Sequence, residues 1–236
     1  MKYVYISYLF SLLFSGVVNA EFIFSAPDDA AIQKVSEQVL TEAYGNIGST
    51  FSIKFFPNAR SLLIANSGEL DGEISRIEGL EKKFINLVRI PVAINYIEAN
   101  SFVLNSNVHI TASNWEDLRK YSLVCVNGVH FITQNLEKFK IECNYVTTFP
   151  QALEVLRLGR VDIAVLPKIT GVALLKEEAN DIIMIDKPII TMNLYHYIHK
   201  KNKDIIPVLQ AELIKMQASG RIESIRKHYL ENNGLH

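Results

Sequence analysis

The side chains best suited to bind a small charged molecule follow the ends of predicted strands. Arg76 comes directly after residues 70–75, where apolar and acidic residues alternate with the period of two that is typical of a strand. In an open α/β sheet, ligands meet the residues just past the carboxyl ends of the strands. A guanidinium there suits the planar geometry of a carboxylate. We therefore predict that Arg76 binds the anionic group of a small polar ligand.

Other polar residues occupy equivalent turns along the chain. The predicted ligand-binding set, besides Arg76, is Asp28, Asn58, Arg60 and Glu73 in the first part and Asn127, Thr147, Thr148 and Lys168 in the second. Several predicted helices begin at these turns, and their free N–H groups and positive dipole ends favour anions. The acidic members could instead bind a cationic or hydroxyl part of the ligand.

Each candidate also has a purely structural interpretation. Arg76 could pair with Glu73 or Glu78 on the surface, and Arg60 could be a solvated residue near a helix start. Asp28 could serve as a helix cap. The amide and hydroxyl side chains of the second part could satisfy only turn and cap groups. These alternatives stay open at the level of sequence.

Catalysis has little support in the sequence. The chain contains no G-x-S-x-G, Walker A, G-x-G-x-x-G or H-E-x-x-H motif, so no cofactor is predicted. His196 and His199 lie three residues apart in a predicted strand and would point to opposite faces, which argues against a metal pair. Asp71 and Glu73 could form a carboxylate pair, but the same spacing is usual on a solvated strand face.

Composition sets the class of protein. The chain has 236 residues, 49% of them hydrophobic, and a formal net charge of -1, which indicates a globular protein and gives no basic excess for nucleic acid. Residues 1–20 read as a signal peptide, with Lys2 before an apolar stretch and a small residue, Ala20, at the cleavage position. The alternative is an uncleaved anchor. We predict export to the periplasm.

Two cysteines leave a choice open. In an oxidising compartment Cys125 and Cys143 could form a disulfide, since both lie on apolar, strand-like segments predicted to be neighbours. They could equally be two buried thiols that act as small hydrophobic residues.

The predicted elements make two α/β units. The order β-α-β-α-β over residues 21–75, with predicted caps at Asn58 and later at Asp204, implies a parallel sheet. A second α/β series follows, and extended segments at about 93–104 and 187–198 bracket it. We predict one lobe from residues 21–104 and 190–236, a second from 105–189, and a cleft between two separate sheets joined by the crossing strands.

Four sequence segments resemble a known family: ARSLLIANSGELDGEISRI, NWEDLRKYSLVCVNGV, ALEVLRLGRVDIAVL and VLQAELIKMQASGRIESIRKHYL. In order and spacing, the chain resembles the bacterial extracellular solute-binding proteins of family 3, the periplasmic amino-acid-binding type. The resemblance implies the type II periplasmic binding fold, in which two α/β lobes close over a small molecule, often for delivery to an ABC importer.

The chain departs from this family where an amino acid would bind. Lys83 stands near the place of the arginine that grips the ligand carboxylate in typical members, and Pro167 replaces the aspartate that binds the ammonium. The segment Ser25-Ala26-Pro27 lacks the usual aromatic residue. A free α-amino acid is therefore not the expected ligand.

Together these features predict a periplasmic solute-binding protein that closes over a small, polar, anionic solute. Its expected partners are the solute and an ABC permease or a membrane receptor, and the expected state is a monomer. The alternatives are a sensor that presents its closed form to a receptor, a lyase or hydrolase on the same scaffold, and a degenerate binder with a filled cleft.

Overall fold

The computed structural model describes residues 21–27, 30–176 and 181–235. The predicted signal peptide and Asp28 lie outside these ranges. Within them, no helix combines the length and apolarity that crossing a membrane requires.

The first lobe begins as a parallel three-stranded unit. Strand β1 (Glu21–Pro27) lies between β2 (Thr50–Phe56) and β3 (Gly72–Arg76), and both pairings are parallel, as predicted. Helices α1 (Ala30–Asn46) and α2 (Asn58–Ser67) make the connections. This arrangement puts the ends of β1 and β3 at one edge, where the polar residues of the site follow.

Two long strands run between the lobes. Strand β4 (Leu87–Leu104) pairs antiparallel with β9 (Ile190–His199), and β9 continues the ladder onto β3. The register of β4 against β9 shifts between Arg89 and Ala93 and again before Asn95. Pro91 lies within this interruption, where its missing N–H costs no ladder hydrogen bond.

The second lobe repeats the α/β pattern. In chain order it contains α3 (Trp115–Leu118), β5 (Leu123–Val126), α4 (His130–Phe139), β6 (Asn144–Val146), α5 (Phe149–Arg157), β7 (Ile163–Pro167), α6 (Lys168–Lys176) and β8 (Ile182–Met184). Strand β5 is parallel to both β6 and β7, and β7 pairs with β4. The chain ends in α7 (Ile206–Ala218) and α8 (Arg221–Asn232), which pack on the first lobe.

Each lobe has its own hydrophobic core. Phe24, Tyr44 and Leu213 belong to the cluster that fills the first lobe. In the second lobe, β7 sends Ile163 to one cluster and Ala164 to another, because alternate side chains point to opposite faces of the sheet. The apolar run at 161–166 was expected to be covered on both faces, and this expectation is confirmed.

The structure corrects three expectations. The strands form one continuous ladder instead of two separate sheets, because β4 is long enough to pair with β9 at one end and with β7 at the other. The residue before α2 is Pro57, so Asn58 is already helical and makes no capping bond. Asp204 lies inside a 3₁₀ segment, Lys200–Ile205, and α7 begins after it.

The cysteines are bonded to each other. Cys125 in β5 and Cys143, just before β6, form a disulfide with their Cα atoms 6.1 Å apart. The bond links β5 to the residue that precedes its parallel neighbour β6, and Cys125 itself is fully buried.

Candidate ligand-binding cleft

A cleft of about 770 Å³ lies between the two lobes. Its walls are the carboxyl ends of β1, β3, β5 and β7 and the first turns of the helices that follow them, together with side chains of the crossing strands. The polar and charged side chains of its lining are Gln33, Asn58, Ser75, Arg76, Glu98, Asn127, His130, Thr147, Thr148, Lys168, Thr170 and Arg226. Residues distant in sequence thus share one cavity, as the strand-end argument predicts.

Six predicted site residues line this cleft: Asn58, Arg76, Asn127, Thr147, Thr148 and Lys168. Arg60 does not; it is exposed on α2, with its guanidinium 5.8 Å from the centre of the Phe56 ring. Glu73 is fully buried behind the cleft wall. Ligand contact by any of these residues remains a prediction.

Arg76 already has a partner. Its Nε donates to Glu73 Oε1 at 2.7 Å, and a terminal nitrogen lies 2.7 Å from the same carboxylate. The guanidinium also donates to the side chain and, at 3.2 Å, to the carbonyl oxygen of Asn58. Pairing with Glu73 was one of the alternatives, but the pair lies against the core and not on the surface.

Glu73 is held by hydroxyl groups as well. Ser61 Oγ donates to it at 2.7 Å, and Ser25 Oγ makes a further short hydrogen bond. Burial raises the pKa of the Glu73 carboxyl, while the Arg76 guanidinium and the two hydroxyls oppose that rise. The carboxylate of Glu73 lies behind the cleft wall and largely balances the positive charge that Arg76 presents to the cleft.

A second charged cluster was not predicted from the sequence. Glu98, on β4, lies 3.7 Å from Lys168 Nζ in the second lobe and 3.7 Å from a terminal nitrogen of Arg226 on α8. The Arg226 guanidinium stacks on Tyr96, 3.6 Å from the ring centre, and donates to the Tyr96 carbonyl oxygen at 3.0 Å. Arg226 is 2% exposed.

Sequence signals for this cluster did exist. Glu98 is an isolated charge in a predicted crossing strand that is otherwise mostly apolar. Arg226 follows Ile222 by four residues, which places it on the buried face of α8. Neither residue lies at the end of a strand, so the strand-end argument does not predict a place for them in the cleft.

The threonines of the second lobe also act as cap groups. Thr148 accepts from Gln151 N at 3.4 Å at the start of α5, and Gln151 Oε1 accepts from Thr147 Oγ1 at 2.7 Å. Thr148 and Gln151 form a capping box at the first turn of α5, and the Thr147 hydroxyl adds a hydrogen bond to the Gln151 side chain. Their structural interpretation therefore holds alongside any ligand contact.

The H-x-x-H pair is not a metal site. His196 is fully buried, with Nδ1 2.9 Å from the Glu73 carbonyl oxygen and Nε2 3.0 Å from Tyr44 Oη. This pattern fits a neutral ring that donates from Nδ1 and accepts from the Tyr44 hydroxyl. His199 accepts from Lys201 N at 3.2 Å. Over the ranges that the structure describes, no group of three or more His, Cys, Asp or Glu residues could hold a metal ion.

The continuous mixed sheet, the two cores and the cleft between them define the class: this is the two-lobed type II periplasmic binding protein fold. No protein-family model matches the chain. A protein of Shewanella oneidensis described as uncharacterized is 26% identical over 204 residues, which cover 82% of this chain and 75% of that protein.

Solved structures share the fold at low sequence identity. The probable amino-acid ABC transporter extracellular-binding protein YtmK of Bacillus subtilis matches with a TM-score of 0.71 at 13% identity, covering 90% of this chain and 99% of that one. The GluR0 ligand-binding core in complex with L-glutamate has a TM-score of 0.70 at 10% identity, with the same coverage. A histidine kinase sensor domain has a TM-score of 0.66 at 15% identity and covers 90% and 96%.

Proposed function

We propose that this protein is an exported solute-binding protein whose two lobes close over a small, polar, anionic solute and deliver it to an ABC-type importer. The observation that carries the proposal is the charge of the cleft. Its described lining holds three cationic side chains, those of Arg76, Lys168 and Arg226, and one carboxylate, that of Glu98. With Arg76 balanced by Glu73 behind the cleft wall, Lys168 and Arg226 still outnumber Glu98 by one positive charge. The lining comes from both lobes, so a bound solute would bridge them.

The architecture supports anion binding in a second way. Helices α2, α4, α5 and α6 all begin at the cleft, and the residues of their first turns are part of its lining. Free N–H groups and the positive ends of helix dipoles add to the attraction of the side chains. A solute that contacts both walls shifts the open–closed equilibrium by its differential affinity for the closed state.

A sensor is the second candidate, because a histidine kinase sensor domain has the same fold. In that case the closed form would be read by a membrane receptor instead of a permease. Deleting the gene separates the two: loss of solute uptake with intact transcriptional responses supports the importer, and the reverse supports the sensor.

An enzymatic role is not proposed. The solved structures named above are binding proteins and a sensor domain, and the cleft lacks a nucleophile activated by a neighbouring base within the described residues. Conversion of a bound compound to product, followed by mass spectrometry over hours, would contradict this view.

Thermal unfolding of residues 21–236 against a library of organic acids, amino acids and short peptides tests the function. A ligand at about 100 times its Kd adds roughly 2.7 kcal/mol to the free energy of unfolding. We expect at least one organic anion to raise the Tm with one-to-one stoichiometry in calorimetry. A library in which no compound raises the Tm would contradict solute binding.

Export is tested separately. We propose that one lobe is formed by residues 21–104 and 190–236 and the second by residues 105–189. We also propose that the signal peptide is cleaved after Ala20. Cell fractionation should recover the protein with the periplasm, and its N-terminal sequence should begin at Glu21. A chain that starts at Met1 in the membrane fraction would show an uncleaved anchor.

A further inference from the structure

The surroundings of Glu98 bear on the kind of anion that the cleft can bind. Glu98 is the one acidic side chain in the described lining, and it lies midway between two cations, 3.7 Å from Lys168 Nζ and 3.7 Å from the Arg226 guanidinium. Its side chain is 12% exposed. An α-amino acid needs a carboxylate for its ammonium group, and here two cations already surround that carboxylate and outnumber its charge.

An ammonium group brought to Glu98 would also meet repulsion. It would lie near both Lys168 and Arg226, and like charges at such distances repel strongly in a partly buried site. Arg226 cannot turn away easily, because it stacks on Tyr96 and its terminal nitrogen donates to Asn95. The neighbourhood of Glu98 is therefore unfavourable to a cation.

Lys168 is differently placed. It begins α6, its side chain is 26% exposed, and 3.7 Å from Glu98 is longer than a hydrogen bond. Its ammonium group keeps donors for an incoming anion, and the first turn of α6, which also lines the cleft, has free backbone N–H groups. Buried Arg226 also has an Nε without a hydrogen-bond partner among the described residues.

The rest of the lining is largely apolar. Side chains from both lobes and from the crossing strands contribute, among them Ile77, Ile97, Phe131, Phe149 and Leu194. Burying a hydrocarbon group of the ligand against such a surface favours binding. A ligand made only of charged and hydroxyl groups would leave this surface unused.

We propose, building on the proposed function, that the ligand is an organic anion with an apolar body and no cationic group, such as an aromatic or branched-chain monocarboxylate or 2-oxo acid. Lys168 and the first turn of α6 bind the anionic group, the apolar walls bind the body, and the positive charges of Lys168 and Arg226 on either side of Glu98 disfavour the ammonium group of an amino acid.

Isothermal titration calorimetry on matched pairs tests this inference in the unmodified protein. The pairs are phenylpyruvate with phenylalanine and 4-methyl-2-oxopentanoate with leucine, in which only the α-substituent differs. We expect each 2-oxo acid that binds to do so at least 10-fold more tightly than its amino acid. Equal or tighter binding of the amino acids, or binding of citrate or phosphate without binding of either 2-oxo acid, overturns the inference and leaves solute binding intact. Absence of binding by every compound of the library overturns both.

Two variants test the roles of the charges. Lys168→Met should weaken binding of the preferred anion at least 10-fold, while Lys138→Met, an exposed lysine on α4 outside the cleft, should change it less than 2-fold. Glu98→Gln should tighten anion binding several-fold, because it removes the negative charge between the two cations. Loss of anion binding in Glu98→Gln with an unchanged urea midpoint would show that Glu98 itself binds the ligand, and would overturn its assigned role.

Discussion

Arg76 lies where sequence reasoning expects it, at the end of β3 and in the lining of the cleft. Its environment adds a second role that a one-dimensional pattern does not reveal. The buried carboxylate of Glu73, itself held by Ser25 and Ser61, matches the charge of Arg76. Arg76 is therefore a support of the first lobe as well as a wall of the cleft, and a change at Arg76 alters both.

Replacing Arg76 by Met should lower the free energy of unfolding by about 3 kcal/mol, because it leaves Glu73 buried without its cation. Glu73→Gln in the same chain should recover a substantial part of that loss, since the neutral amide costs less to bury. Urea unfolding of the wild type, both single variants and the double variant gives the coupling energy. Strictly additive effects would show that the two side chains do not stabilise each other.

Buried His196 makes stability depend on pH. Burial lowers its pKa from 6.5 to about 4, so the folded state keeps the ring neutral where the unfolded chain takes up a proton. The resulting stability is complete above pH 6.5 and is lost as the pH falls toward 4, by up to roughly 3 kcal/mol.

The test compares urea midpoints at pH 7 and pH 5 for the wild type and for His196→Gln. The wild type should lose more stability than the variant over this interval. The lowered pKa of His199 acts in the same direction in both proteins, so the difference between them reports on His196. Parallel pH profiles would contradict the assignment of a neutral buried ring.

At the scale of elements, the contact of β3 with β9 depends on Gly72. Its φ is +153°, and an added Cβ would lie 2.1 Å from the carbonyl oxygen of Tyr197, which is a backbone atom that cannot move aside. Gly72→Ala should therefore cost about 3–5 kcal/mol of folding free energy.

Gly45→Ala, in α1, is the matched control. An added Cβ there meets nothing within 4 Å, and alanine favours the helix by roughly 0.5–1 kcal/mol. Thermal unfolding of the two variants should give Tm shifts of opposite sign. A mild effect of Gly72→Ala would mean that the two strands are less closely paired than the structure shows.

The disulfide fixes the β5–β6 pair beside the cleft. Its cysteines are 18 residues apart in sequence, and in the chain-entropy description a cross-link over a loop of that length contributes about 3 kcal/mol. The Cys125→Ser/Cys143→Ser variant should unfold at lower urea concentration by that amount. Dithiothreitol should lower the Tm of the wild type but not of the variant.

Local sequence patterns were enough to predict most elements and the parallel order of strands in the first lobe. The spacing of apolar residues and the positions of turn residues are properties of short stretches of sequence. The caps at Asn58 and Asp204 were wrong, since a preceding proline and an intervening 3₁₀ turn moved the helix starts. The Glu98–Arg226 contact spans 128 positions and depends on how α8 packs on the crossing strands. Sequence spacing carries no information about such a contact.

At the scale of the molecule, the proposed function requires lobe closure. Adding the anion identified by calorimetry should lower the radius of gyration measured by small-angle X-ray scattering, and Lys168→Met should need proportionally more ligand for the same change. Hydrogen exchange should slow at the cleft-facing turns after β5 and β7. An unchanged scattering profile at saturating ligand would show that binding occurs without closure.

Strand β4 belongs to both lobes, since it pairs with β9 at one end and with β7 at the other. β4 and β9 are hydrogen-bonded along most of their shared length. Lobe closure would therefore have to bend this two-stranded ribbon, because no flexible linker joins the lobes there. The ladder of hydrogen bonds is interrupted around Pro91, where the register shifts. We therefore expect the ribbon to bend at this end, which is nearer the first lobe.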